Sequence, residues 1–335
     1  MNESAVLVTA SVLVSFILTA VLGKWLIPFL RRLKFGQTIR EVGPGWHKKK
    51  QGTPTMGGIM FIISTAAVTA ISLMLFPAAG IEETPLLTTK TLAGLGMAVA
   101  YGIIGFLDDY ISVVKKRNLG LSEKQKLVLQ FLVAGGYLAC VWLAGGNTQT
   151  TIPFLGKVDL GFFYYVLSAL VIVGMVNAVN FTDGIDGLNS IVCIFSFAGL
   201  AVCSLLLGIY GNYILGCVAA AALVGFLVWN FHPAKVFMGD TGSLFLGGIL
   251  CALAFGVDMP VLLLPAGIVS IIEILSVVLQ VTYFKATGGK RLFKMSPIHH
   301  HFEMKGWSEV KICAVFGLIS LLGAAVSIAL VVYGV

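Results

Sequence analysis

The stretch AVLVTASVLVSFILTAVLGKWLIPFL, residues 5–30, decides the class of fold, because Lys24 is its only charged side chain. A helix that crosses a bilayer needs about 20 mostly apolar residues, and this run is longer than that. It also exceeds the apolar region of a secretory signal peptide, roughly 7–15 residues, and no basic segment precedes it. We therefore predict that it is a retained first membrane span.

The composition of the whole chain also indicates a membrane protein. Hydrophobic residues make up 58% and charged residues 11% of the 335 residues, whereas a soluble domain has about 25% charged residues. The net charge of +7 could suggest nucleic acid, but the basic residues fall in short loops between apolar runs, so we expect no nucleic-acid partner. The six cysteines lie within apolar runs without a C-x-x-C pair, which favours buried apolar residues over disulfides or metal ligands.

Ten apolar runs predict an all-α polytopic membrane protein with about ten transmembrane helices in a single domain, residues 1–335. The third and eighth runs are the shortest, and Asp258, Met259 and Pro260 are expected to divide the eighth run from the ninth. Residues 150–159 are expected to form a short external β-hairpin. The predicted spans are 5–30, 58–76, 91–107, 127–143, 162–180, 190–207, 213–229, 244–257, 261–283 and 312–333.

The basic residues predict the orientation of these spans. Nineteen of the 22 Lys and Arg residues fall in loops after odd-numbered spans, which the positive-inside rule places in the cytoplasm. Lys90 and Lys157 fall on the other side, and Lys24 lies within the first span. Both termini are therefore expected to face outward. Adding or removing one span would scramble this distribution, so the distribution supports ten spans.

Five of the seven aspartates and all five histidines collect on the same predicted side, most of them within a residue or two of a helix end. Ionisable groups at that depth are functional candidates. The pair Asp108-Asp109 is predicted to end the third span, where the alternative role of a polar helix end suits Asp poorly because the helix dipole is already negative there. The predicted cytoplasmic residues of these types are Asp108, Asp109, Asp183, Asp186, Asp240, His47, His232, His299, His300 and His301.

The segment NAVNFTDGIDGLN, residues 177–189, surrounds the end of the fifth span. Asn177 and Asn180 share one helix face, and the two glycines of the segment let the backbone turn tightly and approach a ligand. The alternative is that Asp186 or Asn189 caps the sixth span. A cap needs only one such residue, so the accumulation of amides and carboxylates indicates ligand binding.

The segment NFHPAKVFMGDTGS, residues 230–243, leads into the predicted eighth span. A helix N-terminus with glycines attracts phosphate, and Asp240 at that point can hold Mg²⁺ together with phosphate oxygens and water. Phe237 is suited to stack on a nucleotide base. Anchoring at the membrane interface explains Phe237 nearly as well from composition alone.

Two further segments carry basic side chains. In SPIHHHFE, residues 296–303, three consecutive histidines cannot all bind one ion from a single helix face, so hydrogen bonding to phosphate fits better. Three lysines at residues 48–50 precede GTPTMGG, residues 52–58. The positive-inside rule explains most of the lysines, but it does not explain the glycine-proline turn that directs this cluster toward the membrane surface.

Carboxylates for Mg²⁺, basic groups for phosphate and an aromatic for a base are the components of phosphoryl transfer. The chain has no Walker A motif, and the membrane setting implies that one reactant is a lipid. A secondary transporter is the rival class, but a transporter places ionisable residues near the bilayer midplane. Here Glu273 is the only acidic residue deep within a predicted span.

Six segments in order carry a close resemblance to a known family: GTPTMGG, GFLDDY (105–110), LSEKQK (121–126), NAVNFTDGIDGLN, FMGDTGS (237–243) and SPIHHHFE. The chain resembles the phospho-N-acetylmuramoyl-pentapeptide transferases, the bacterial translocase I family, over essentially its whole length. The wider polyprenyl-phosphate sugar-1-phosphate transferase superfamily shares the acidic motifs. A sibling that uses UDP-N-acetylglucosamine is therefore the second rival.

The resemblance implies a Mg²⁺-dependent reaction between UDP-N-acetylmuramoyl-pentapeptide and undecaprenyl phosphate, which gives lipid I and UMP. It also implies a multi-pass protein of the bacterial inner membrane, surrounded by membrane lipids, with an active-site cleft facing the cytoplasm. The family suggests a homodimer.

By the same resemblance, Asp240 is the leading Mg²⁺ ligand and Asn180 the second, while Asp108 is the base on the lipid phosphate, with Asp109 beside it. His300 is the remaining catalytic candidate. The expected substrate-binding residues are Lys50, Thr55, Lys124, Asp183, Gly184, Ile185, Asp186, Asn230, Phe237, Ser243, His299 and His301.

Within that set, the resemblance gives more specific roles. Asp186 and Phe237 would recognise uracil, with Gly184, Ile185 and Asn230 lining the nucleoside pocket.

The resemblance also assigns the groups around the diphosphate. Lys124 would hold the diphosphate, Asp183 would orient the substrate, and the histidines would contact sugar or phosphate. The chain departs from the family at Ser112, where members often have a lysine. Lys115 or Lys116 is the candidate replacement.

Overall fold

The computed structural model describes residues 3–33, 50, 52–114 and 120–335. Within these ranges, nine helices are long and apolar enough to cross a membrane, and a tenth apolar helix is shorter. The predicted all-α architecture with about ten spans is therefore confirmed. Four predicted lysines of the basic clusters, Lys48, Lys49, Lys115 and Lys116, lie outside the described residues.

The helices follow the apolar runs of the sequence, since helices satisfy their own backbone groups in lipid. In chain order they are α1 (Glu3–Arg32), α2 (Ile59–Met74), α3 (Pro85–Val114), α4 (Glu123–Leu143), α5 (Phe163–Thr182), α6 (Leu188–Leu206), α7 (Tyr210–Asn230), α8 (Gly239–Gly256), α9 (Leu263–Ala266), α10 (Ile268–Ala286), α11 (Ile298–Glu303) and α12 (Glu309–Gly334). Short 3-10 turns occupy Pro77–Ala79 and Pro260–Leu262.

Helix α8 lies at the centre of the bundle, with every residue from Thr241 to Gly256 buried. Small residues allow its neighbours to approach closely, which is how helices pack in a membrane. A Cβ added at Gly248 would lie 2.6 Å from the Cα of Ala98 in α3, and one added at Gly247 would lie 2.6 Å from the Cα of Val176 in α5. The backbone of α8 is therefore fixed between α3 and α5.

The third predicted span was too short at its end. Helix α3 continues to Val114, so Asp108 and Asp109 lie inside the helix instead of ending it. The physical reason is that α3 crosses the N-terminus of α8 at this level, where backbone amides of α8 bind the Asp109 carboxylate. Helix α8 correspondingly begins at Gly239, earlier than the predicted 244.

The predicted break between the eighth and ninth spans is present. Asp258 has a positive φ of 55°, and a 3-10 turn begins at Pro260. The ninth span itself is divided, however, because the short α9 ends at Ala266 and α10 begins at Ile268.

The predicted hairpin is also present, with β1 (Gln149–Ile152) antiparallel to β2 (Gly156–Asp159) and Thr150 opposite Val158. Thr151 N donates to the carbonyl oxygen of Asp258 (2.8 Å), and Lys90 Nζ lies 2.6 Å from an Asp258 carboxylate oxygen. Asp258 follows the C-terminus of α8, so the hairpin and Asp240 lie at opposite ends of a helix about 27 Å long.

Candidate active site

Asp109 binds the first turn of α8. Its Oδ1 accepts a hydrogen bond from Asp240 N (3.2 Å), and its Oδ2 accepts bonds from Thr241 N (3.0 Å) and Thr241 Oγ1 (2.7 Å). A carboxylate is favourable at a helix N-terminus, where the first amides have no partner within the helix. Gly105 allows this approach, because a Cβ there would lie 2.0 Å from the Asp240 carbonyl oxygen. Asp109 therefore holds α3 against α8 and fixes the backbone of Asp240.

The side chain of Asp240 is held by two neighbouring helices. Asn180 Nδ2 from α5 donates to Asp240 Oδ1 (2.9 Å) and to Ser243 Oγ (2.7 Å), and Lys126 Nζ from α4 forms an ion pair with Asp240 Oδ2. Asp108 contacts Asp240 as well, and its Oδ1 accepts a hydrogen bond from Leu121 N (2.9 Å). The predicted residues Asp108, Asn180, Asp240 and Ser243 thus meet at one end of α8.

Lys126 is a residue of this cluster that the sequence interpretation missed. It shares the LSEKQK segment with Lys124, whose side chain is exposed. Two residues apart on a helix are about 200° apart in direction, so only one of these lysines can face the carboxylates. Both lysines are present in the sequence, but the sequence does not show which of them faces a residue on a neighbouring helix. The assignment of Lys124 to the diphosphate stays a prediction.

Asp183 follows the last residue of α5, directly after the turn that carries Asn180. Burial and the negative charges of Asp240, Asp109 and Asp186 raise the pKa of the Asp183 carboxyl well above its usual range. Like charges are therefore concentrated around this point. A cation bound there would favour the ionised form of Asp183.

The donor atoms at this end of α8 fit Mg²⁺, which prefers carboxylate and amide oxygens together with water and phosphate oxygens. Helices α3 and α8 and the residue after α5 supply carboxylates, and Asn180 can supply an amide oxygen if its amide turns from the present Nδ2 contacts with Asp240 and Ser243. Lys126 already places one cationic group against Asp240. This arrangement combines oxygen ligands with a positive charge for a phosphate group.

The GTPTMGG segment lies against the approach to α8. Phe237 N donates to Pro54 O (2.8 Å), Gly57 N donates to Phe237 O (2.8 Å), and Gly58 N donates to Met238 O (3.1 Å). Phe237 is partly exposed, as stacking on a base requires. Thr55 is buried, and its Oγ1 would lie 2.6 Å from a Cβ added at Gly239, so the predicted Thr55 is beside the start of α8.

Asp186 does not cap α6, so that alternative is wrong. The N-cap of α6 is Gly187, with a φ of 77° and no side-chain cap among the described residues. Instead, Asp186 Oδ1 is 2.7 Å from Lys50 Nζ, while Oδ2 accepts from Ala234 N (3.0 Å) and lies 3.0 Å from His232 Nδ1. Glu309, which the sequence interpretation did not select, completes this cluster.

Two predicted nucleoside-pocket residues are buried within the surrounding framework. Asn230 Nδ2 donates to Val236 O (3.1 Å), and Asn230 Oδ1 accepts from Ser190 Oγ (3.1 Å), so this amide braces the loop before α8. Ile185 packs in an apolar cluster with Leu188 and Ile312. Their roles toward a nucleoside stay predictions.

The three histidines of α11 face different surroundings. His299 is fully buried, with Nδ1 3.1 Å from Glu273 Oε1 and its ring against Gly184, where an added Cβ would lie 2.0 Å from Nε2. His300 Nδ1 is 2.6 Å from Glu303 Oε2.

His301 Nδ1 accepts a hydrogen bond from Lys294 N (3.1 Å). Its pKa is lowered by partial burial and by the positive charges of Lys305 and Lys294, which favours the neutral ring. The three rings thus have different partners, and their contacts with sugar or phosphate stay predictions.

Comparison with known proteins identifies the family. The model for glycosyl transferase family 4 matches residues 91–257, and signature 1 of the phospho-N-acetylmuramoyl-pentapeptide-transferases matches residues 50–62. The phospho-N-acetylmuramoyl-pentapeptide-transferase of Geobacillus kaustophilus is 47% identical over 330 residues, with 98% of each chain covered. The enzyme of Bacillus subtilis is 46% identical, with 98% of each chain covered. That of Halalkalibacterium halodurans is 44% identical, with 99% of each chain covered. The chain therefore belongs to the phospho-N-acetylmuramoyl-pentapeptide-transferase family.

Proposed function

We propose that this protein transfers phospho-N-acetylmuramoyl-pentapeptide from its UDP-linked donor to undecaprenyl phosphate, giving lipid I and UMP in the first membrane step of peptidoglycan synthesis. The observation that carries the proposal is the convergence of Asp108, Asn180, Lys126 and Asp240 at one end of the buried helix α8. The names of the relatives support the choice of donor.

The reaction exchanges one diphosphate for another and needs no further reactant. An oxygen of the lipid phosphate forms a bond to the sugar-side phosphorus of the donor. The bond from that phosphorus to the bridging oxygen breaks, and UMP leaves with the electron pair. Such a transfer depends on positioning and on neutralisation of charge more than on covalent chemistry by the protein.

Asp240 and Asn180 would hold Mg²⁺, with Asp108 and Asp183 close enough to complete its surroundings. When bound, the ion would neutralise charge on the diphosphate and on the departing UMP. Asn180 presents Nδ2 to Asp240 and Ser243 in this structure, so its amide would have to turn for the amide oxygen to join Asp240 at the ion. Lys126 would bind a phosphate oxygen beside Asp240.

Asp108 would orient the attacking lipid phosphate. A phosphate monoester has a second pKa of about 6, so it is mostly deprotonated at neutral pH. Asp108 therefore need not remove a proton for the attack to proceed. Its Oδ1 is held by the hydrogen bond from Leu121 N, and the side chain also interacts with Asp240.

The cellular setting is part of the same proposal. The site would open as a cleft to the cytoplasm, with both termini outside the bacterial inner membrane, and two copies would form a homodimer among the membrane lipids. Cysteine-accessibility labelling at 108, 183, 240 and 300 tests the orientation, because all four positions should react from one side. Chemical crosslinking in the membrane tests the dimer.

A UMP-release assay with two donors tests the activity. The full chain in detergent is incubated with undecaprenyl phosphate and either UDP-N-acetylmuramoyl-pentapeptide or UDP-N-acetylglucosamine, with Mg²⁺ or with EDTA. UMP release only with the muramoyl-pentapeptide donor and Mg²⁺ is expected. UMP release with UDP-N-acetylglucosamine alone would change the proposed donor. Release in EDTA would refute the requirement for Mg²⁺. No release with either donor would refute the transferase activity.

A further inference from the structure

Glu309, in the first turn of α12, joins segments of the chain that are far apart in sequence. Its Oε2 accepts a hydrogen bond from Asp186 N (2.9 Å), and Lys50 Nζ lies 2.7 Å from its carboxylate. Glu309 is only 9% exposed. An acidic residue after the N-cap Ser308 is favoured by the helix dipole, but that effect requires no partners outside α12. These partners therefore indicate a second role.

The Lys50 ammonium is shared between two carboxylates. It lies 2.7 Å from Asp186 Oδ1 as well as 2.7 Å from Glu309. The other Asp186 oxygen, Oδ2, already accepts from Ala234 N and lies beside His232 Nδ1. Within the described chain, Lys50 is the side chain that occupies Asp186 Oδ1. Oδ1 is thus the oxygen that a ligand gains if the ammonium shifts toward Glu309.

This arrangement has a direct consequence for a nucleotide base. Uracil carries an N–H donor between two carbonyl acceptors, whereas cytosine has an acceptor nitrogen at the same place and an adjacent amino donor. A carboxylate oxygen beside an ammonium group matches the donor and acceptor of uracil. If the Lys50 ammonium stayed on Asp186 Oδ1, it would block that oxygen. If it left Asp186 and had no other carboxylate partner, its burial would carry a large desolvation cost.

We propose that Glu309 is a positioning residue for base selection: it retains the Lys50 ammonium when the uracil N–H takes its place on Asp186 Oδ1. The inference rests on the proposed function, because the base belongs to the same UDP-linked donor. Glu309 acts through Lys50 and Asp186 and does not touch the reacting phosphates. Its loss should therefore affect recognition of the base more than the rate of transfer.

The test compares Glu309→Gln with the wild type and with Glu123→Gln in the full chain. Glu123 is a matched control, because it also lies in the first turn after a capping serine, Ser122, and is exposed. Displacement of labelled UMP by unlabelled UMP and CMP measures both affinities without catalysis. Loss of one charged hydrogen-bond partner should weaken UMP binding about tenfold.

CMP binding by Glu309→Gln should change less than about twofold, so the preference for UMP should fall, and KM for the donor should rise more than kcat falls. Glu309→Asp, which keeps the charge, should recover part of the preference. An equal loss for UMP and CMP, or an unchanged preference, would overturn the inference and leave Glu309 as a structural anchor. Wild-type protein that binds UMP but releases none from the donor would instead refute the proposed reaction, while the binding comparison would still decide the role of Glu309.

Discussion

Asp109 and Thr241 are joined by two hydrogen bonds to a single carboxylate oxygen, one from the threonine backbone N–H (3.0 Å) and one from its hydroxyl (2.7 Å). The pair connects α3 to the first turn of α8. Of the two adjacent aspartates, Asp109 is thus committed to the architecture, whereas Asp108 is directed toward Asp240. In this pair, Asp109 holds α3 against α8, and Asp108 lies beside Asp240.

Asp109→Asn should lower both stability and activity. The amide keeps one oxygen but replaces the other with an NH2 group, which cannot accept the hydrogen bonds of α8. A buried donor that is left without a partner costs about 1–3 kcal/mol. We expect a lower midpoint of thermal unfolding in detergent together with reduced UMP release. Glu82→Gln, at an exposed acid, serves as the control. An unchanged unfolding midpoint would contradict the anchoring role.

Asp240→Asn should abolish transfer and leave the membrane fold intact. The asparagine can still accept a hydrogen bond from Asn180, but it removes the charge expected to bind Mg²⁺ and the partner of Lys126. UMP release should fall at least about 100-fold, the scale of a lost electrostatic contact in a transition state. The elution profile in size-exclusion chromatography should match the wild type. Near-normal turnover would refute the role of Asp240.

Lys126→Met and Lys124→Met should differ strongly. Lys126 forms the ion pair with Asp240, so its replacement should reduce kcat for UMP release by at least about tenfold. Lys124 is exposed, and its replacement should change kcat by less than about twofold if Lys126 alone serves the diphosphate. A larger effect at 124 than at 126 would restore the original assignment of the diphosphate to Lys124.

Asp183→Asn should stabilise the metal-free protein at high pH. A raised carboxyl pKa means that the neutral form is favoured in the folded state, so this contribution to stability is present at low pH and is lost as pH rises through the folded pKa. Asparagine stays neutral at every pH. The unfolding midpoint of the variant minus that of the wild type should therefore increase from about pH 5 to pH 8 in EDTA. If the difference between the two unfolding midpoints did not change with pH, the raised pKa of Asp183 and its cause, the neighbouring negative charges, would be contradicted.

Gly105→Ala should be far more disruptive than Gly96→Ala in the same helix. The new methyl group at 105 would lie 2.0 Å from the Asp240 carbonyl oxygen, whereas a Cβ at 96 would have no described atom of another helix within 4 Å. Overpacking of this kind costs about 1–3 kcal/mol. We expect a lower unfolding midpoint and weaker UMP release for the variant at 105. Equal behaviour of the two variants would show that α3 can move away from α8 without loss.

The sequence by itself determined the membrane class, about ten spans and the position of the hairpin along the chain, and it predicted the residue types that gather at the start of α8. It could do so because apolar run length reflects bilayer thickness and because polar groups are excluded from lipid. The sequence also predicted Asn180, Asp240 and Ser243 as site residues, because they lie at the ends of predicted spans on the same side of the membrane. These features depend on local composition and on helical periodicity.

Only the tertiary structure decided which side chains meet. It showed that Asp109 and Asp108 have different partners and that Lys126, not Lys124, contacts Asp240. It also showed that Glu309 contacts Asp186, 123 positions away in the chain. A sequence specifies the period of each helix, but the rotation of one helix against another is set by close packing at residues such as Gly105 and Gly248. That packing is a property of the assembled bundle, because the atoms that limit each approach belong to different helices.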